Sequence, residues 1–116
     1  MNYEEEILNT ITIDELEKLD TENITIIDIR KPEDYKRGTY KNAVNIGVDN
    51  LTQVPKDKPV YVLCYTGDNS VYAVEELEDM GYEAYNIKGG WRACLRLYLK
   101  RSIENEQLQK NTQDIE

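Results

Sequence analysis

Val60-Tyr61-Val62-Leu63-Cys64-Tyr65-Thr66-Gly67-Asp68-Asn69-Ser70 is the stretch that decides how this chain folds. Its first four residues, entered from Pro59, form a short, continuous apolar run, which reads as a strand covered on both faces. A glycine-containing loop follows. From Ser70 the period changes, because Val71, Val74, Leu77 and Met80 recur every third residue with acids between them. That spacing predicts an amphipathic helix, and Gly81 stops it. A buried strand thus feeds a short loop that feeds a helix N-terminus, and a cysteine is the first residue past the strand.

Working outward, the same alternation repeats. Ile24-Thr25-Ile26-Ile27-Asp28-Ile29 is a second β-branched run, followed by Pro32, whose ring suits the first turn of a short helix over Glu33 to Lys36, ended by Gly38. Ala43-Val44-Asn45-Ile46 is a third strand candidate, and Asp49 to Gln53 suits one helical turn. Ala84-Tyr85-Asn86-Ile87 is a further strand, and Gly89-Gly90 turns into a helix from Trp91, with Leu95, Tyr98 and Leu99 expected as its buried stripe. Near the start, Ile11-Thr12-Ile13 reads as a short strand. Thr12 and Glu15 have capping-box spacing, so a helix is expected through Leu16 to Leu19. Strands alternating with helices predict an α/β domain with a mostly parallel sheet, and binding sites in such sheets lie beyond the carboxyl ends of the strands. Asp28, Cys64 and Lys88 all fall at such ends. Residues 1–10 read as a polar lead-in, 11–100 as the domain, and 101–116 as a polar helix end and tail that frays into disorder after about Ser102.

Composition removes whole classes of chemistry. The chain has 116 residues, enough for one domain, and no histidine, so imidazole-based triads and His-ligated metals are excluded. Its two cysteines, Cys64 and Cys94, are too few for a disulfide framework or a Cys-rich zinc site, and a reducing cytoplasmic location is expected. A net charge of -9 opposes binding to nucleic acid or an anionic membrane. No apolar run is long enough to span a bilayer, and the acidic Met1 to Glu6 segment does not read as a signal peptide. No cofactor and no metal are expected. Any catalysis therefore rests on a nucleophile activated without a histidine base. Cys64 suits that role, because inward-pointing loop amides and the dipole of the following helix favour a thiolate, the reactive form of the group. The competing reading of Cys64 is a buried, inert small hydrophobe.

Three segments together resemble the rhodanese-like (sulfurtransferase) family. Ile27-Asp28-Ile29-Arg30-Lys31-Pro32-Glu33-Asp34-Tyr35 is similar to its D-x-R-x-P-x-E-[FY] segment, Cys64 to Ser70 to its active loop C-x-x-G-x-R-S, and Gly81 through Ile87-Lys88-Gly89-Gly90-Trp91 to its closing strand and G-G-W turn. Ala43-Val44-Asn45-Ile46 matches the intervening strand. The resemblance implies a three-layer fold, with a central, mostly parallel five-stranded sheet flanked by helices on both faces. It implies that Cys64 takes a sulfane sulfur from a donor, becomes a persulfide, and passes the sulfur to cyanide, a thiol or a protein acceptor. The donor or persulfide would be held by the backbone of Tyr65, Thr66, Gly67, Asp68, Asn69 and Ser70. Related phosphatases and arsenate reductases place an arginine six residues after the cysteine; here that residue is Ser70, so the loop is the sulfur-transfer length.

The chain departs from the pattern where charge is concerned. Tyr65 and Asn69 occupy positions that are often arginine in the family, and Asp68 is expected to add a carboxylate to the rim. Gly38-Thr39-Tyr40-Lys41-Asn42-Ala43 also lacks the family's histidine and proline. A donor other than free thiosulfate is therefore expected, a protein or low-molecular-weight persulfide. Lys88 and Arg92 are candidates to restore positive charge at the rim. Asp28 and Arg30 are expected to be structural, and Cys94 a packed helix thiol rather than a resolving one. Two other functions compete: a non-catalytic rhodanese-like module that binds a partner, and a redox protein using Cys64 and Cys94.

Overall fold

A computed structural model describes residues 9–114. The expected lead-in therefore lies almost wholly outside the described residues. Five strands, β1 (Thr10–Ile11), β2 (Thr25–Asp28), β3 (Val44–Asn45), β4 (Val60–Leu63) and β5 (Ala84–Ile87), form one sheet in the order β1-β5-β4-β2-β3. Every pairing is parallel. All carboxyl ends thus lie along one edge, and Asp28 is paired directly with Leu63, so the residues after β2 and β4 emerge side by side.

Alternation along the strands sends side chains to two separate cores. Ile27, Val60, Val62 and Ala84 pack with Ala73, Val74 and Leu77 of helix α3 (Asn69–Asp79) and with Leu51 and Val54. Ile26, Tyr61, Leu63 and Ile87 pack on the other face with Ile13 and Leu16 of helix α1 (Ile13–Glu17) and with Cys94 of helix α4 (Gly90–Asp114). The central layer is therefore covered by helices on both faces, as expected for strands apolar on both sides. Helix α2 (Pro32–Arg37) follows β2, with proline in its first turn and Gly38 as its C-cap. Thr12 and Glu15 form the capping box of α1.

Three details differ from the sequence reading. The buried face of α3 is Ser70, Ala73, Val74 and Leu77, while Val71 and Met80 are only partly covered, because a strict three-residue repeat drifts off the face of a 3.6-residue helix. In α4 the expected stripe is turned outward. Leu95 and Leu99 are 45% and 63% exposed and Tyr98 lies at the surface, while Cys94 enters the core and Trp91, Ala93 and Leu97 pack against it. The same helix also continues to Asp114, well beyond the point where polar composition suggested fraying. Among the described residues, no helix is long and apolar enough to cross a membrane, and no cluster of side chains suits a metal ion.

Candidate active site at Cys64

Cys64 follows β4 directly, and its residue is 3% exposed. Its sulfur accepts a hydrogen bond from the Gly67 N–H at 2.9 Å and lies 3.4 Å from the Ser70 hydroxyl oxygen. Ser70, fully buried in the first turn of α3, donates in turn to the Asn86 side-chain oxygen on β5. The sulfur is therefore the end of a buried chain, Cys64–Ser70–Asn86, that ties the loop to two elements. An N–H aimed at the sulfur stabilises negative charge whenever the sulfur carries it. Asn86 was not singled out from the sequence, although a polar residue in an otherwise apolar strand was the available signal.

The loop is held from behind by the start of α4. The Trp91 N–H donates to the Cys64 carbonyl at 2.8 Å and the Arg92 N–H to the Tyr65 carbonyl at 3.0 Å. These contacts bring Gly90, at φ +55°, so close that a Cβ there would lie 2.3 Å from the Cys64 carbonyl oxygen. Gly67, at φ +92°, likewise has no room for a side chain, since its Cβ would meet the Gly89 nitrogen at 2.9 Å. Gly67 and Gly90 are thus what let the loop and helix close on each other.

Cys64 opens onto a cavity of about 790 Å³ lined also by Ile29, Arg30, Lys31, Asp34, Arg37, Val48, Tyr65, Asn69, Tyr72 and Trp91. Its cations come from the segment after β2. Of the loop residues expected to bind substrate, Tyr65 and Asn69 line this cavity, whereas Thr66, Gly67 and Asp68 line a neighbouring one of about 590 Å³ with Lys88, Glu75 and Asn86. Asp68 therefore does not place a carboxylate on the rim at Cys64; its side chain accepts from the Thr66 hydroxyl at 3.1 Å on the other side of the loop. Lys88 lines that second cavity as well, Arg92 meets the loop through its backbone, and neither lines the Cys64 cavity. Lys31 and Arg37 were not singled out from the sequence. Their distance from Cys64 in the chain hides the approach made by the short β2–α2 connection.

Asp28 and Arg30 form the clamp that fixes this wall. Asp28 is fully buried and accepts from the Arg30 guanidinium at 2.7 and 3.0 Å, from the Arg30 N–H at 2.9 Å and from the Thr39 hydroxyl at 2.8 Å. Arg30 also donates to the Gly38 carbonyl at 2.6 Å and lies 5.1 Å from the centre of the Trp91 ring. Such a bidentate, stacked geometry suits arginine and not lysine. Cys94 is fully buried, and burial pushes its thiol up to about 12. A thiol held neutral in a packed core matches the packing role and opposes a resolving one.

Sequence and structure comparisons agree with this geometry. The family model of the rhodanese-like domain matches residues 12–96. The chain is 33% identical to the uncharacterized protein YqhL of Bacillus subtilis, over 78% of this chain and 75% of that one. It is 38% identical to a tRNA sulfurtransferase of Desulfurococcus amylolyticus over 65 residues, 56% of this chain but only 14% of that enzyme's length. The crystal structure of a rhodanese-like domain protein from Staphylococcus aureus superposes with a TM-score of 0.66 at 35% identity, covering 73% of this chain and 89% of that one. The chain is a member of the rhodanese-like domain family.

Proposed function

We propose that this chain is a sulfurtransferase in which Cys64 carries the sulfur as a persulfide. The observation that carries the proposal is the placement of the Cys64 sulfur, which accepts the Gly67 N–H at the floor of an open cavity. In the first step the Cys64 thiolate attacks the outer sulfur of the donor. A new S–S bond forms, the donor's own S–S bond breaks, and its electron pair leaves with the donor as a thiolate (or as sulfite, were the donor thiosulfate). In the second step an acceptor thiolate attacks the outer sulfur of the persulfide, and Cys64 departs as a thiolate. Neither step needs an oxidant or reductant beyond donor and acceptor.

Two features favour an organic persulfide anion over free thiosulfate as donor. The loop carries no arginine, and the available cations, Lys31 and Arg37, line a cavity roomy enough for a small organic molecule. Tyr65, Tyr72 and Trp91 supply apolar walls for its carbon skeleton. Steady-state assays with a low-molecular-weight persulfide and with thiosulfate, each with a thiol acceptor, test the reading. Turnover should be higher with the organic donor and fall to background in Cys64→Ser. Equal turnover by Cys64→Ser would refute it.

A further inference from the structure

We infer that Asn86 is a positioning residue: through Ser70 it holds the resting Cys64 sulfur as a thiol. The groups have one way to pair. The Cys64 sulfur lies 3.4 Å from the Ser70 hydroxyl oxygen, and the Ser70 hydroxyl donates to Oδ1 of Asn86. A serine hydroxyl has a single proton, and an amide oxygen only accepts. With that proton committed to Asn86, Ser70 faces the sulfur as an acceptor. It accepts an S–H and offers nothing to a thiolate. Both partners start from fixed backbone. Ser70 is fully buried in the first turn of α3. Asn86 is 5% exposed and stands in β5, with Thr10 of β1 paired on one side and Val62 of β4 on the other.

The Gly67 N–H and Ser70 therefore act on the sulfur in opposite senses. The N–H, at 2.9 Å, supports a negative sulfur, and the Ser70 oxygen supports a protonated one. In turnover, which rests on the sulfurtransferase reading, this opposition separates the two steps. Once the persulfide forms, the charge sits on the outer sulfur, and Ser70 no longer opposes it. When an acceptor thiolate attacks that outer sulfur, the S–S bond breaks and its electron pair leaves on Cys64, which then takes a proton from solvent. The new S–H donates to Ser70, and this keeps the freed Cys64 from attacking the product. The charged and titratable groups lining the Cys64 cavity are Arg30, Lys31, Asp34, Arg37, Tyr65 and Tyr72. Asp68, Glu75 and Lys88 line the cavity that Asn86 borders. Substitutions at Asn86 and Ser70 leave all of them in place.

Alkylation of Cys64 by iodoacetamide, followed against pH on the whole chain, tests this without any sulfur donor. Asn86→Leu keeps the shape of the side chain and removes its oxygen, which frees the Ser70 proton for the sulfur. Alkylation at neutral pH should be about tenfold faster, the scale of one hydrogen bond to a charged group, and the pH profile should move to lower pH. In Ser70→Ala the same Asn86→Leu change should do nothing, because the group it acts through is gone. Asn86→Asp keeps the acceptor and strengthens it. It should slow alkylation, and slow it less in Ser70→Ala, so the test survives if the leucine variant does not fold. A change that merely loosened the loop would speed alkylation with or without the Ser70 hydroxyl. An Asn86→Leu protein no faster than wild type, an acceleration undiminished in Ser70→Ala, or an Asn86→Asp protein that is not slowed would each overturn the proposal. The sulfurtransferase reading fails separately, when a Cys64 that alkylates as expected takes up no sulfur.

Discussion

Replacing Gly90 by alanine adds one methyl group where the backbone leaves none. The new Cβ would sit 2.3 Å from the Cys64 carbonyl oxygen and 2.9 Å from the Gly67 nitrogen and the Tyr65 carbonyl carbon. Ordinary contact begins near 3.4 Å, so loop and helix must separate by about 1 Å. The same displacement would stretch the 2.8 Å bond from Trp91 to the Cys64 carbonyl out of hydrogen-bond range and weaken the 3.0 Å bond from Arg92. One lost bond at about 1 kcal/mol, a weakened one costing up to about 1 kcal/mol, and overpacking strain of about 1–2 kcal/mol give a destabilisation of about 2–4 kcal/mol. For a domain of this size that lowers Tm by about 8–16 °C. The right control is Gly81→Ala. Gly81 also has a positive φ, at +94°, yet a Cβ there meets nothing within 4 Å. It should cost only backbone strain, about 1 kcal/mol. Circular-dichroism melts, with alkylation rates of Cys64 measured on the folded proteins, would read both effects. A Gly90→Ala protein melting within about 2 °C of wild type, with an unchanged Cys64 alkylation rate, would refute the claim that this glycine sets the loop.

Other consequences follow from the same geometry. Asp28→Asn leaves a buried guanidinium without its carboxylate and should cost about 3–5 kcal/mol in denaturant unfolding; a loss under 1 kcal/mol would mean that the clamp is not structural. Lys31→Ala combined with Arg37→Ala should raise the donor KM with little change in kcat, since both cations line the cavity and the sulfur itself is held by Gly67 and Ser70. An unchanged KM would remove them from donor binding. Burial raises the Cys94 thiol and the Tyr40 phenol to about 12 from ordinary values of 9.0 and 10.0. Above about pH 9 the unfolded chain therefore loses protons that the folded one keeps, so stability should fall between about pH 9 and 12. Cys94→Ala should make that fall shallower, as followed by urea unfolding across the range.

Much of the fold could be read along the chain because its strands are buried on both faces. Ile26-Ile27 and Val60 to Leu63 are apolar without alternation, as strands of a parallel sheet covered on both faces are. The Gly89-Gly90 pair, the Thr12 cap and the strand–Cys–loop–helix order are local signals, and each corresponds to a feature of the structure. What escaped depends on direction in space. Periodicity cannot tell which side of α4 meets the sheet, so Leu95 and Leu99 looked buried when the core takes Cys94. The loop's residues are divided between two cavities, with Asp68 on the one that Cys64 does not line. Lys31 and Arg37 line the Cys64 cavity because β2 and β4 are neighbours in the sheet, a pairing that neither segment announces alone. Asn86 was visible as a polar residue in a buried strand, yet its role appears only when Ser70 meets it across the sheet.

The central claim is that the Cys64 sulfur holds the transferred atom. A single-turnover experiment tests it most directly: mix the protein with a low-molecular-weight persulfide, remove excess donor, and weigh the Cys64 peptide by mass spectrometry before and after adding a thiol acceptor. The account predicts one extra sulfur on that peptide, none on the Cys94 peptide, and loss of the extra sulfur when the acceptor is added. A Cys64 peptide that gains no sulfur from an organic persulfide or from thiosulfate would contradict it.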